Sequence, residues 1–180
     1  MERSLAQIAL FAALIAVFGL VPPIWLGFGV PISAQTMAVT LAGAVLGARR
    51  GALAAGLFIL LVALGLPLLA GGRGGLAVFA SPTGGFALGF PVAAFVTGLV
   101  VEHLRLRPVG LRAALATVTG GILVLYPIGA AGLAMATGRS YPEALGLTVA
   151  FIPGDLIKAV LSGFLVQSLA RTRPQSLSWL

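Results

Sequence analysis

From Ser4 to Ala48 the chain carries no charged side chain, and Arg49-Arg50 is all that separates this run from the next uncharged one, Gly51 to Gly72. Runs of this kind limit what the chain can fold into. A water-soluble domain covers itself with about 25% charged residues; here charged residues are 8% and hydrophobic ones 59% of 180. Mean hydropathy is +1.12. A bilayer removes the need for a polar coat, because lipid tails solvate apolar side chains directly. Six spans of roughly 20 residues use about 120 positions, and the remainder suits short loops. The expectation is an all-α integral membrane protein of six transmembrane helices, one membrane domain over residues 1–180, with no room for a second, soluble domain.

Prolines, glycines and arginines punctuate the chain. The stretch after Met1-Glu2-Arg3 is as long as a full span and shows no clear small-x-small cleavage site, so it reads as a first helix and not as a signal peptide. That helix covers about Ser4 to Val21, where Pro22-Pro23 stops it. The segment Ile24 to Ser33 reads as an apolar interfacial loop, with Trp25 at a depth that suits tryptophan. A short second helix is expected from Ala34 to Ala48, closed by Arg49-Arg50, and a third from Gly51 to Leu66, stopped by Pro67. A long glycine-rich stretch follows, Ala70 to Gly75 and Ser81 to Gly85. The fourth helix reaches about Val101. The fifth covers Leu111 to Ala136 with a kink at Pro127. An amphipathic piece from Tyr141 to Phe151 is expected to break at Pro153-Gly154, before a sixth helix to Ala170.

The net charge of +7 does not signal nucleic acid. The basic residues form no stripe with interleaved aromatics; they sit in small groups between apolar runs. With the N-terminus placed in the cytoplasm, Arg3, Arg49, Arg50, Arg105, Arg107, Arg112, Arg171 and Arg173 fall on the cytoplasmic side. Arg73 and Arg139 then fall outside. This bias predicts an even number of spans with both termini cytoplasmic. Arg105, Arg107 and Arg112 fix topology and meet anionic lipid heads.

Several chemistries are excluded by residue type. The chain has no cysteine, one histidine and four acids, which removes thiolate sites and leaves little for a metal. Lys158 is its single lysine, so no Walker A sequence exists and the chain has no recognised means of hydrolysing ATP. No Ser-His-Asp set and no paired acids at catalytic spacing occur. The chain is not expected to be an enzyme or to carry a cofactor.

Asp155 and Lys158 are the most informative polar residues. Three apart on a helix, they share a face. Each costs roughly 2.5–3.5 kcal/mol at the centre of a span, so they belong in the bundle interior, as functional groups or as an ion pair that fixes packing. Arg73 sits in the glycine-rich stretch, where exposed amides and one guanidinium suit an anionic group; a bland flexible turn fits equally. Gln35 and Thr36 begin a helix at the same outer face, as cavity-lining hydrogen-bonding groups or beside a helix cap made by Ser33. Small residues four apart, Ala9 with Ala13 and Ala12 with Ala16, permit close helix approach, either within the bundle or by a partner subunit.

Five segments in order carry a resemblance over nearly the whole chain: Val30-Pro31-Ile32-Ser33-Ala34-Gln35-Thr36; Gly65-Leu66-Pro67 leading into Gly71-Gly72; Ser81-Pro82-Thr83-Gly84-Gly85-Phe86; Gly89-Phe90-Pro91; and Ile152-Pro153-Gly154-Asp155-Leu156-Ile157-Lys158. The chain resembles the BioY family, the biotin-specific substrate-capture (S) subunits of energy-coupling factor (ECF) transporters. The resemblance implies a six-helix, multi-pass subunit of a prokaryotic cell membrane that captures biotin near the outer face. Its implied partners are a transmembrane coupling protein and two ATPase subunits, which use the ATP. The family's aspartate and lysine on the last helix fall on Asp155 and Lys158. Its usual tyrosine after Pro-Thr-Gly-Gly is Phe86 here, without the hydroxyl. The small-residue face of its first helix matches Ala9 and Ala13, or Ala12 and Ala16.

Biotin presents a ureido ring, an apolar thioether ring and a carboxylate tail. For it the implied ligand set is Asp155, Lys158, Arg73, Gln35 and Thr83, with Trp25, Phe79 and Phe86 as apolar walls. Asp155 suits a ureido N–H; Lys158 or Arg73 suits the carbonyl or the carboxylate. Two other readings compete: an S subunit for a different vitamin, and a non-transporting membrane assembly protein in which Asp155–Lys158 is structural.

Overall fold

The computed structural model describes residues 2–180, apart from the side chain of Arg3. The expected cytoplasmic placement of the Arg3 side chain, like anything expected of Met1, therefore lies outside the described residues. Among these residues the helices form six rods. They are α1 (Glu2–Phe18), α2 (Gln35–Leu46), α3 (Ala48–Ala63), α4 (Gly84–His103), α5 (Val109–Thr137) and α6 (Tyr141–Thr172). Three of them, α4, α5 and α6, are long and apolar enough to cross a membrane. The other three are shorter: α1 has 17 residues, α2 12 and α3 16.

The sequence expectations fail at several boundaries, each for a local reason. Arg49-Arg50 does not close the second helix. Gly47, with φ +79°, ends it, and both arginines lie in the first turn of α3. Helix α1 stops at Phe18, not Val21; the next residue, Gly19, is packed so tightly on the Leu68 carbonyl and the Gln35 side chain that a Cβ would collide. The expected irregularity at Pro127 comes earlier, as a π segment over Thr119–Val124 inside α5. Proline leaves the carbonyl four residues before it without a donor, and a widened turn is a common adjustment. No break occurs at Pro153-Gly154. A 3-10 turn, Val149–Phe151, joins the two parts of α6, and Pro153 occupies the second position of the following turn, where its missing amide is not needed.

Helix α2 is apolar all round, and most of its residues are buried, as expected of a helix enclosed by others. Glycines set its distances. At Gly43 a Cβ would strike the Ala94 carbonyl of α4, and at Gly98 it would strike Ala48. Gly85 meets Gly132 between α4 and α5, and Gly110 meets Gly163 between α5 and α6. Such small-residue contacts let membrane helices approach closely.

The same burial pattern settles the register of α1. Ala12 is 2% exposed beside Ile15 in the core, so it is not available to a partner, which corrects the expectation for that residue. Ala16 is half-buried, while Ala9 and Ala13 face outward.

The two long connections, 19–34 and 64–83, lie at one end, and the second includes a 3-10 helix, Leu76–Ala80. Ile24–Trp25 and Pro31–Ile32 form a small antiparallel ribbon where a plain loop was expected. Between α3 and α4, Leu69 and Arg73 pair across Gly71 and Gly72, with φ +80° and +71°. The loop they close is the three residues Ala70-Gly71-Gly72, and its two consecutive positive φ values are open to glycine and closed to most other residues. That turn aims Arg73.

Candidate functional site

The ribbon, the Gly71-Gly72 hairpin, the starts of α2 and α4 and the middle parts of α5 and α6 surround a recess of about 600 Å³, counting its open mouth. Apolar surface dominates the wall. Phe151 is its hub, meeting Phe28, Phe86 and Tyr126 edge-on at ring-centre distances of 5.7, 6.0 and 6.1 Å.

The charged residues lining the recess are Arg73, Asp155 and Lys158. Lys158 Nζ donates to Asp155 Oδ1 at 2.7 Å, to the Ser33 carbonyl at 2.6 Å and to Thr36 Oγ1 at 3.0 Å. Those three bonds use all three ammonium protons. Asp155 Oδ2 accepts from the Tyr126 hydroxyl at 2.7 Å. The two charged side chains are 10% and 17% exposed, for Asp155 and Lys158. One cluster therefore ties α6 to the start of α2 and to α5, and Asp155 keeps lone pairs for a further donor. The pair is at once structural and open to the recess.

Arg73 is placed differently. Its Nε donates to the Ala70 carbonyl at 3.2 Å and its Nη1 to Thr83 Oγ1 at 3.0 Å. Thr83 Oγ1 is in turn 2.9 Å from Ser81 Oγ. These acceptors are neutral, and among the described residues the salt bridge is Lys158–Asp155. The Arg73 charge is thus uncompensated within the site. Partial burial draws the guanidinium below its ordinary value, yet arginine stays charged.

Of the expected ligand residues, Asp155, Lys158, Arg73, Gln35, Thr83 and Phe86 come together around the recess; Trp25 and Phe79 are not among its lining residues. Trp25 is 54% exposed and lies under the Arg73 guanidinium at 5.3 Å, where it steadies the arginine.

Gln35, 1% exposed, has its amide committed elsewhere. Its Nε2 donates to the Ile15 and Leu68 carbonyls at 3.1 and 2.9 Å, and its Oε1 accepts from the Ala70 amide at 2.8 Å. It pins the irregular chain at 68–70 between α1 and α2. The alternative of a Ser33 cap on α2 also fails, since Ala34 occupies the cap position and no side chain caps it.

Sequence reasoning missed Tyr126, Phe151 and the Ser33 carbonyl. A tyrosine inside an apolar helix facing the aspartate of another helix was the available signal for the first. A backbone carbonyl gives none.

Residues 2–175 match the BioY family. The chain belongs to the BioY family. It is 50% identical to the biotin transporter BioY of Rhodobacter capsulatus, over 98% of each chain. It is 53% identical to the biotin transporter BioY of Rhizobium etli, over 91% of this chain and 90% of that one. A crystal structure of the S-component for biotin from an ECF-type ABC transporter superposes with a TM-score of 0.88 at 31% identity, covering 95% of this chain and 92% of that one. BioY proteins are membrane transporter subunits and not enzymes, which agrees with the three long apolar helices here.

Proposed function

We propose that this chain is the biotin-capture subunit of an ECF-type uptake system and that biotin binds in the recess between Arg73 and the Asp155–Lys158 pair. One observation carries this reading: a largely apolar recess holds a neutral ion pair at one place and an uncompensated guanidinium at another. Biotin divides the same way. Its ureido ring is neutral and offers two N–H donors, which match the lone pairs left on Asp155. Its carboxylate is a monoanion, which matches Arg73 supported by Thr83, and it would be repelled beside Asp155. The thioether ring and the chain between fit the aromatic wall that includes Phe86. Gln35 acts indirectly, by fixing the strand of chain that carries Arg73.

The six rods are the six spans in this reading, with both termini cytoplasmic and residues 1–180 as one membrane domain. Helices α1, α2 and α3 fall short of the roughly 30 Å hydrocarbon core. Non-helical chain at that depth is tolerated where it is enclosed by protein or lines a cavity, and both irregular stretches do so here. Uphill uptake needs an energising module, a coupling protein with two ATPases, and the exposed face of α1 that carries Ala9 and Ala13 is the surface assigned to it.

The test is titration of the purified, ligand-stripped chain with biotin, with thiamine and riboflavin as competitors. Saturable one-to-one binding of biotin that neither competitor displaces is expected. A well-folded protein that ignores biotin but takes another vitamin would overturn the assignment.

A further inference from the structure

A second, smaller recess lies behind the Asp155–Lys158 pair. Thr36, Asp155 and Lys158 line both recesses; Met37, Thr40, Thr117, Gly121 and Ile122 belong to the smaller one alone. It has room for about one water molecule. The polar group that stands out in it is Thr117, which is 5% exposed and whose hydroxyl has no hydrogen-bond partner in the protein.

That orphan is unusual among the helical threonines, although the buried Ser162 hydroxyl also lacks a partner. Thr40, Thr97, Thr119, Thr137 and Thr172 each turn the hydroxyl back onto the carbonyl four residues earlier. Thr117 is a helical threonine just before the π segment, and it does not. A buried hydroxyl without a partner loses about 1–3 kcal/mol of solvation, which a bonded water would restore.

We propose that this recess holds one water molecule, bridging Thr117 to the Asp155–Lys158–Thr36 cluster, and that Thr117 is thereby a positioning residue for the ligand site. The donors and acceptors balance. Lys158 has no proton left. Thr36 Oγ1 accepts from Lys158 and keeps its own proton to give to the water. The water then donates to an Asp155 oxygen and bonds Thr117 Oγ1, making the usual three contacts of a buried water. The carboxylate is held on its inner side while its outer lone pairs remain for ligand.

This inference rests on the larger recess being the biotin site, and the experiment separates the two. Structures at water-resolving resolution are determined for the wild type, Thr117→Val and Thr117→Ser, with biotin affinity and melting temperature measured for each. The expected result is an ordered water within hydrogen-bond distance of Thr117 Oγ1 in the wild type and of Ser Oγ in Thr117→Ser, and none in Thr117→Val. Affinity should fall about 3–10-fold in Thr117→Val, the scale of one water-mediated bond, and return to within about twofold in Thr117→Ser. A dry recess in the wild type overturns the proposal. So does a Thr117→Val protein that binds as the wild type does and melts at the same or a higher temperature, because removing an orphan hydroxyl from a dry site relieves it. If Thr117→Val does not fold, the wild-type and Thr117→Ser structures decide. A wild type that fails to bind biotin sinks the proposed function and leaves the water to be judged from structure and melting alone.

Discussion

The two ends of the bundle use polar side chains in opposite ways. At the end formed by the start of α2 and the Gly71-Gly72 hairpin, charges meet one another and the irregular chain, and a recess stays open among them. At the other end, polar groups stop helix termini. Glu102 accepts the Ala48 amide at 2.8 Å, placing a carboxylate at the start of α3, where the helix dipole favours it. The chain's tail turns back on α2: Ser178 Oγ donates to the Leu46 carbonyl at 2.6 Å and Trp179 Nε1 to the Ala44 carbonyl at 2.7 Å. Arg112 lies over the Trp179 ring at 4.3 Å. This end is sealed by its own chain. A comparable set of polar residues thus leaves an open recess at one end, where binding is proposed, and makes a cap at the other; what differs is whether the groups close off helix ends or leave lone pairs and a charge facing open space.

Substitutions that cross the two ends test this difference. The largest effect is expected for Lys158→Ala, which leaves Asp155 without its counter-charge and releases Ser33 and Thr36. Biotin binding should become undetectable by calorimetry, and stability should fall by about 3 kcal/mol, the scale for an unpaired buried charge. Retained binding would mean that the ion pair is packing alone and that the two ends do not differ in kind.

Gln35→Ala comes next and separates structure from recognition within the same end. It removes three buried hydrogen bonds to main-chain groups, so thermal or chemical unfolding should show a loss of about 2–3 kcal/mol. The molecules still folded at low temperature should bind biotin within about tenfold of the wild type, a bound set by roughly one displaced hydrogen bond near Arg73. A collapse of affinity without loss of stability would make Gln35 a ligand contact instead.

The smallest effect belongs to the sealed end. Glu102→Ala should lower stability by about 1 kcal/mol, as loss of a helix cap does, and leave biotin affinity unchanged in the same titration. An affinity change there would show that the two ends are coupled.

Much of this was legible in the sequence because bilayer physics leaves few options. Uncharged runs announced the helices, and the charges of Asp155 and Lys158 inside one of them pointed to the helix that lines the recess. Other features were hidden for definite reasons. Arg49-Arg50 looked like a helix end, yet one glycine placed the break two residues earlier. Pro153-Gly154 looked like a break, yet proline near the start of a helical turn costs little. Gln35 lines the recess as expected, but a sequence does not reveal that Ile15, Leu68 and Ala70 will meet its amide from three directions. Trp25 looked like a pocket wall and instead lies under Arg73. Periodicity left α1 in two registers, and burial of Ala12 chose one.

In the proposed binding mode the recess separates biotin's neutral ring from its charged tail. The direct measurement is the affinity of biotin and of biotin amide for the wild type and for Arg73→Gln. The wild type is expected to prefer biotin over the amide by about 10–100-fold, the range for one charge-assisted contact of about 1.5–3 kcal/mol, and Arg73→Gln to lose most of this preference while binding the amide as the wild type does. Equal discrimination by wild type and Arg73→Gln would contradict it and place the carboxylate elsewhere.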